Sequence, residues 1–430
     1  QLAELYLTYR QKERKMHISP HLYRDEFQKV KAYIATKNIY GVDLNPTAIE
    51  LGKLSLWLNV IHKDMETPFF GHRIALGNAV IGAWFKAYDE DELCKMKNRQ
   101  YVNTEWWTKA PHLLHFSKDT KKLKRKPGEI YHFLVPDKNM LAVLNIKEEK
   151  AAHPAEAALM KKKLADWTAN ITKEDMLILR KLSAKIDQLI KECVLHQQKI
   201  DYLTQNRYAI WGHTDRAYEY YTFDAFDDKQ SVSDSRNQKG NAFYKLRTIM
   251  DYWCSLWFWE YEDASLIPSR REYWLDIAQI LGIDLTGDSS DYSPAILFEE
   301  SNLFNQPAKE EESEEVSSDS EDTIEEDIPS YTKEDAEAEL RKVRSETKLF
   351  DNGYRIPVVQ RLAERYHFFH PMLEFIEVFW LRDGFDVICG NPPWIMLGFD
   401  EASILGEQYP EIAIRDITAA EVSILKQQLF

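Results

Sequence analysis

At 430 residues, with 44% apolar and 13% aromatic side chains, the chain is long enough for two or three compact units with real cores, which excludes wholesale disorder. Four cysteines without a Cys-x-x-Cys pair (Cys94, Cys193, Cys254 and Cys389) argue against a zinc ribbon or a disulfide scaffold and predict a reducing, cytoplasmic setting; no apolar run reaches the ~20 residues of a membrane span. The formal charge of −15 does not exclude nucleic acid, because eleven of the 70 acidic residues fall within 310–327, and the remaining 59 nearly balance 55 Lys and Arg.

Apolar and aromatic positions spaced by three and four predict helix over residues 1–35. A short buried strand over 38–42 ends on Asp43, and Asn45-Pro46 then opens a helix through about His62 with Leu51, Leu54, Leu58 and Ile61 on one face. Residues 73–78 read as a second strand, and strand, helix, strand begins a parallel α/β sheet. From about Trp84 the pattern changes to aromatic turns, a strand-like stretch at 131–135, and a basic run of Lys118, Lys121, Lys122, Lys124, Arg125 and Lys126. That run suits either DNA phosphates or a solvated loop. Thr172 and Asp175 form a capping-box pair ahead of a heptad seam, Leu179, Leu182, Ile186, Leu189, Cys193, His196, Ile200 and Leu203, which predicts a long helix packed on a partner helix. Between Gly240 and Gly282 lies an aromatic-rich helical unit in which Phe243, Met250, Trp253, Trp257 and Tyr261 can share a buried stripe. Residues 301–330 are acidic and serine-rich, which predicts a disordered loop. Helix resumes at Thr332, pauses at Asp351-Asn352-Gly353 and returns over 358–380. Residues 384–390 then read as an apolar strand running into Asn391-Pro392-Pro393-Trp394.

Two consecutive prolines stiffen the exit from that strand, fixing the Asn391 side-chain oxygen and the Pro392 carbonyl as acceptors beside the plane of Trp394. An exocyclic amine on a planar base has two hydrogens to donate and a ring to stack. An ordinary strand-to-loop turn is the plainer reading. At the other end of the chain, an acid closing a parallel strand faces the crevice where ligands bind, so Asp43 can accept both hydroxyls of a ribose or simply cap the following helix. Trp253, Trp257 and Trp259 suit either base stacking or a core, and the core is expected from their helical spacing. His196 reads as a polar packing position on the seam, and His367 and His370 as helix-terminal packing, with no metal expected.

The string FDVICGNPPW (385–394) resembles the catalytic motif of amino-group DNA methyltransferases. IYGVDLNPTAIELGKLSLWL (39–58) is similar to large adenine methyltransferases of fused restriction-modification systems and of BREX- and DISARM-type phage defence. The resemblance implies an α/β fold, part of a Rossmann-like S-adenosylmethionine-dependent methyltransferase sheet interrupted by a large, mostly helical insertion. Residues 1–83 and 381–430 would be the two pieces of the core. Residues 84–300 would be the insertion, 301–330 its acidic loop and 331–380 a helical return. It also implies that Asn391 and Pro392 orient the target amine, with Pro393 completing the rigid motif and Trp394 stacking on a flipped adenine of double-stranded DNA. Asp43 would bind the ribose of S-adenosylmethionine, Leu44 would pack on its adenine, and Asn78, a weaker match, would meet the adenine amine. Only Gly41 precedes Asp43, so the family's glycine-rich loop is expected upstream of Gln1, and target-recognition segments beyond Phe430; such a fragment is expected to be inactive alone. The alternative is a non-catalytic docking module among the subunits of a defence complex.

Overall fold

The computed structural model describes residues 1–283 and 355–391, apart from 64, 98–99, 104, 118–121 and 213–220, together with 285, 333 and 337. The acidic stretch 301–330 and the residues after Asn391 lie outside the described residues. The described residues are α/β, mostly helical with small sheets.

Local signals decide where each element stops. Lys15 turns left-handed (φ 52°) and Pro20 starts a new first turn, so the helix expected over 1–35 is two helices, α1 (Leu2–Arg14) and α2 (Pro20–Lys37). Next come β1 (Gly41–Asp43), α3 (Pro46–Val60) and β2 (Ile74–Leu76). The two strands pair in parallel, Val42 opposite Ala75 and Asp43 opposite Leu76, as strand, helix, strand requires. The apolar face expected of α3 is not the buried one. Ile49 and Val60 are buried, where the helix packs on α2 and the two strands, whereas Leu51, Leu54, Leu58 and Ile61 are 44% to 60% exposed. Apolar spacing sets the stripe, but the positions of the neighbours decide which part of it is covered.

Residues 86–131 hold more strand than expected: β3 (Lys86–Asp89), the short α4 (Glu90–Leu93), β4 (Cys94–Lys97), β5 (Gln100–Asn103), β6 (His112–Leu113) and β7 (Glu129–Tyr131). Strand β3 sits between β6 and β7, antiparallel to both, and β4 pairs with β5. The strand expected at 131–135 ends at Tyr131, and 132–134 form a 3-10 turn. Arg125 is withdrawn from the basic run: its guanidinium hydrogen-bonds Asp187 (Nε to Oδ1, 3.0 Å) and the Glu129 carbonyl, while Tyr131 Oη donates to the same Asp187 (2.7 Å). Lys122, Lys124 and Lys126 remain exposed, and Lys118 and Lys121 lie outside the described residues.

Helices α5 (Lys147–Ala152) and α6 (Pro154–Trp167) lead to α7 (Lys173–Thr204), opened by the expected reciprocal Thr172–Asp175 box. Seven of the eight seam residues are buried and His196 is half-buried. The seam meets several partners instead of one: α8 (Phe226–Asp234), α9 (Ala242–Ser255), α10 (Arg270–Leu281) and, past α11 (Ile356–Tyr366) and α12 (Pro371–Glu374), α13 (Ile376–Arg382), the last helix among the described residues. Each fully buried Leu or Ile there contributes about 1.5–3 kcal/mol. Trp259 is fully buried and Trp253 and Trp257 are half-buried against the same core, with Trp253 Nε1 donating to the Val135 carbonyl (3.2 Å). All three are spent on packing.

The return helices break at His367, which is left-handed (φ 50°), and at Pro371. The extended link between them runs along residues 78–83. Asn78 N–H donates to the His367 carbonyl (2.7 Å), Phe369 N–H to the Ile81 carbonyl (2.9 Å) and Ala83 N–H to His370 Nδ1 (2.9 Å). With Nδ1 accepting, His370 Nε2 carries the proton and donates to Asp251 of α9 (3.0 Å). The approach is close enough to require glycine. A Cβ on Gly82 would fall 1.6 Å from the Phe369 carbonyl oxygen, and one on Gly77 would fall 2.5 Å from the Phe369 ring.

Two outcomes follow for stability. Gly82→Ala must prise Phe369 away from residues 78–83 and lowers unfolding stability by at least about 2 kcal/mol. Gly52→Ala, inside α3 with nothing within 4 Å of the new Cβ, raises it by up to about 1 kcal/mol; urea melts of the two variants check both signs. Burial pushes the His132 imidazole from 6.5 down to about 3. A depressed folded-state pKa means that the unfolded chain binds the proton first. The contribution is therefore present above pH 6.5 and lost as pH falls toward 3, on the order of 4 kcal/mol across that window. In His132→Gln the same denaturant melts at successive pH values lack that part of the acid slope.

Candidate functional site

The parallel pairing of β1 and β2 sets their carboxyl ends side by side, and the ladder continues as Gly77 N–H donates to the Asp43 carbonyl (2.9 Å). Asp43, Leu44 and Asn78 therefore share one edge of the small sheet. Asp43 is exposed; its Oδ1 accepts from Asn45 N–H (2.8 Å), and Oδ2 has no partner among the described residues. The cap of α3 is Asn45, whose Oδ1 accepts from the N–H groups of Thr47 (2.9 Å) and Ala48 (3.4 Å). Asp43 is thus relieved of the capping role that a sequence reading leaves open to it. Leu44, beside it, is 52% exposed.

Asn78 is half-buried. Its backbone N–H is committed to His367, and its Oδ1 accepts from Val80 N–H (3.1 Å) with a second lone pair to spare. A carboxylate oxygen open to solvent, an uncovered apolar side chain and a held carboxamide on one strand edge suit a ligand with vicinal hydroxyls and a flat base.

Asn391 is exposed at the last described position, and Pro392, Pro393 and Trp394 lie outside the described residues. The strand expected over 384–390 does not form: Val387 and Ile388 are 77% and 83% exposed, and no ladder reaches them. Phe385 is anchored, edge-on to Tyr40 (5.5 Å between ring centroids), Phe375 (5.8 Å) and Phe379 (5.9 Å). Since Tyr40 directly precedes β1, the segment leading to Asn391 begins beside the strand leading to Asp43 without joining its sheet. A strand needs a neighbour's N–H and C=O groups along its length. Here Asn38 and Tyr40, together with Phe385, Asp386 and Val387, line one cavity of about 630 Å³ instead of meeting edge to edge.

The two histidines of the return segment are helix-terminal, as expected, with His367 closing α11 and His370 opening α12. Of two further residues that position this edge, only one was legible in the sequence. Asn45 was visible as an Asn-Pro helix start, whereas the Tyr40 junction depends on partners more than 300 positions away. No protein-family model matches the chain, and no curated protein or solved structure matches it either.

The roles of the two neighbours separate by mutation. Asn45→Ala removes the cap and costs about 1 kcal/mol of stability. Asp43→Ala, at an exposed position, changes stability by less than about 0.5 kcal/mol. Thermal melts of the pair check the order.

Proposed function

We propose that this chain carries the cofactor edge and the target-amine motif of an S-adenosylmethionine-dependent DNA adenine-N6 methyltransferase, acting in restriction-modification or phage defence. The observation that carries the reading is the parallel β1–β2 pair, which gathers Asp43, Leu44 and Asn78 at its carboxyl ends. The free Asp43 oxygen fits the ribose hydroxyls of S-adenosylmethionine, the uncovered Leu44 fits its adenine face, and the spare Asn78 lone pair fits its adenine amine. The cofactor supplies an electrophilic methyl group when bound.

The residues of 391–394 are assigned their work by the resemblance of their sequence. Asn391 and Pro392 accept the two hydrogens of the target amine, which turns its lone pair out of conjugation with the ring. Pro393 stiffens the loop, and Trp394 stacks on the extruded adenine. Catalysis is then positioning and exclusion of water, with no metal in the chemistry. A non-catalytic docking role is favoured by a different observation, the uncovered apolar side chains of α3 together with Val387 and Ile388.

The experiment is methylation of plasmid DNA by the protein as encoded, read base by base, with cofactor binding measured by calorimetry. Asn391→Ala is expected to abolish transfer and leave cofactor affinity nearly unchanged. Asp43→Ala is expected to weaken cofactor binding first, by about 1.5–3 kcal/mol for each charge-assisted bond lost. Trp394→Ala is expected to cost about 1–3 kcal/mol of stacking on the base. Wild-type protein that neither binds the cofactor nor methylates adenine leaves the docking role standing.

A further inference from the structure

Three potential metal ligands far apart in the chain meet behind the start of β1. They are His72 in the turn before β2, Asp201 on α7 and Glu377 on α13, and one ligand atom from each lies within 4.8 Å of the others. His72 Nε2 is 2.7 Å from Glu377 Oε1. Glu377 is 5% exposed, and its Oε2 is buried with no hydrogen-bond partner. A buried polar atom left unmatched is costly and calls for an occupant.

The other groups facing the cluster are Arg73, Tyr40 and Gln197. Arg73 donates to Asp201 Oδ1 (3.3 Å), the Thr36 carbonyl (3.0 Å) and Tyr40 Oη (3.3 Å). Gln197 Nε2 donates to Asp201 Oδ1 (3.2 Å) and lies 3.5 Å from His72 Nδ1. Burial, then Glu377, pushes the Tyr40 phenol up, so it stays neutral. The Arg73 guanidinium and the His72 imidazole therefore face the two carboxylates. Arg73 and Gln197 both use Oδ1 of Asp201, which leaves Oδ2 for another partner.

We propose that His72, Asp201 and Glu377 form a site for one divalent transition-metal ion of the Zn²⁺ class, which ties the turn before β2 to α7 and α13. One imidazole nitrogen and two carboxylate oxygens match that class, whereas Mg²⁺ and Ca²⁺ favour all-oxygen sets. On binding, His72 presents Nε2 as an unprotonated lone pair with its ring proton on Nδ1, so a doubly protonated ring releases one proton to solvent and a neutral ring shifts its proton and releases none. Glu377 contributes a carboxylate oxygen. Asp201 and Glu377 also line the 630 Å³ cavity, so a water can complete four-coordination from that side.

The test is titration of the full chain, stripped of metal by chelation, with Zn²⁺ alone in a calorimeter near neutral pH. One equivalent is expected to bind, and Asp201→Asn and Glu377→Gln are each expected to weaken it at least about tenfold. Absence of binding, or binding unchanged in both variants, overturns the site. So does binding that is lost only on replacing His112 in the exposed group Asp89, Glu92 and His112. Since a variant can fail to fold, the wild-type chain is also titrated with Co²⁺. Intense visible bands of a four-coordinate complex are expected, and a spectrum no different from aqueous Co²⁺ overturns the proposal.

Discussion

The close contact between residues 78–83 and 367–370 is the constraint on which the rest of the molecule depends. It is made by backbone groups, so it tolerates no lateral shift, and it needs two glycines because Phe369 lies where their side chains would be. Its far end is nailed to the helical body by a side chain: His370 accepts from Ala83 and donates to Asp251, which fixes one tautomer and one ring orientation. The α12 turn that follows is held by a buried ionic group. Arg236 donates to Glu374 Oε2 (2.7 Å) and Arg247 lies 3.8 Å from Oε1. Burial alone would raise the Glu374 carboxyl, but the two guanidiniums hold it below its ordinary value, so the group is charged and paired.

That constraint also organises the candidate site. Asn78 cannot drift, because its own N–H is the first bond of the contact, and its side chain is presented at the edge where β1 ends on Asp43. Past the contact, the chain turns through α13 and delivers Phe385 to Tyr40, just ahead of the same strand. Phe385 thus meets Tyr40 at the start of β1, the end opposite Asp43, by way of a short piece of paired backbone that belongs to neither sequence string.

What could be read in the sequence was what is decided locally. The Asn45-Pro46 helix start and the Thr172–Asp175 box involve groups a few positions apart, and both form as expected. The seam of α7 was legible because burial along a helix repeats with its period, but the number of its partners was not, since a stripe records that it is covered and not by how many neighbours. Arg125 read as one of a basic run suited to either phosphates or solvent because its neighbours in sequence are lysines; its actual partner, Asp187, is 62 positions away. The apolar run at 384–390 carried the composition of a strand, yet strand formation is a property of two segments, and β1 offers it a cavity wall. Gly77 read only as part of a strand over 73–78 and Gly82 was not singled out, because nothing in their surroundings along the chain announces the Phe369 ring and carbonyl that fill the space beside them.

The same contact sets a timetable for synthesis. Ala83 waits for a partner 287 positions later in the chain, and at about 5–20 residues per second that partner leaves the ribosome roughly 15–60 s afterwards. During that interval the β1–β2 unit is a nascent two-stranded piece with an open groove at its glycines, too small to be stable by itself. Folding of residues 41–83 is therefore coupled to completion of the helical body. A pause in translation anywhere in between lengthens the period in which this unit is exposed to chaperones and proteases.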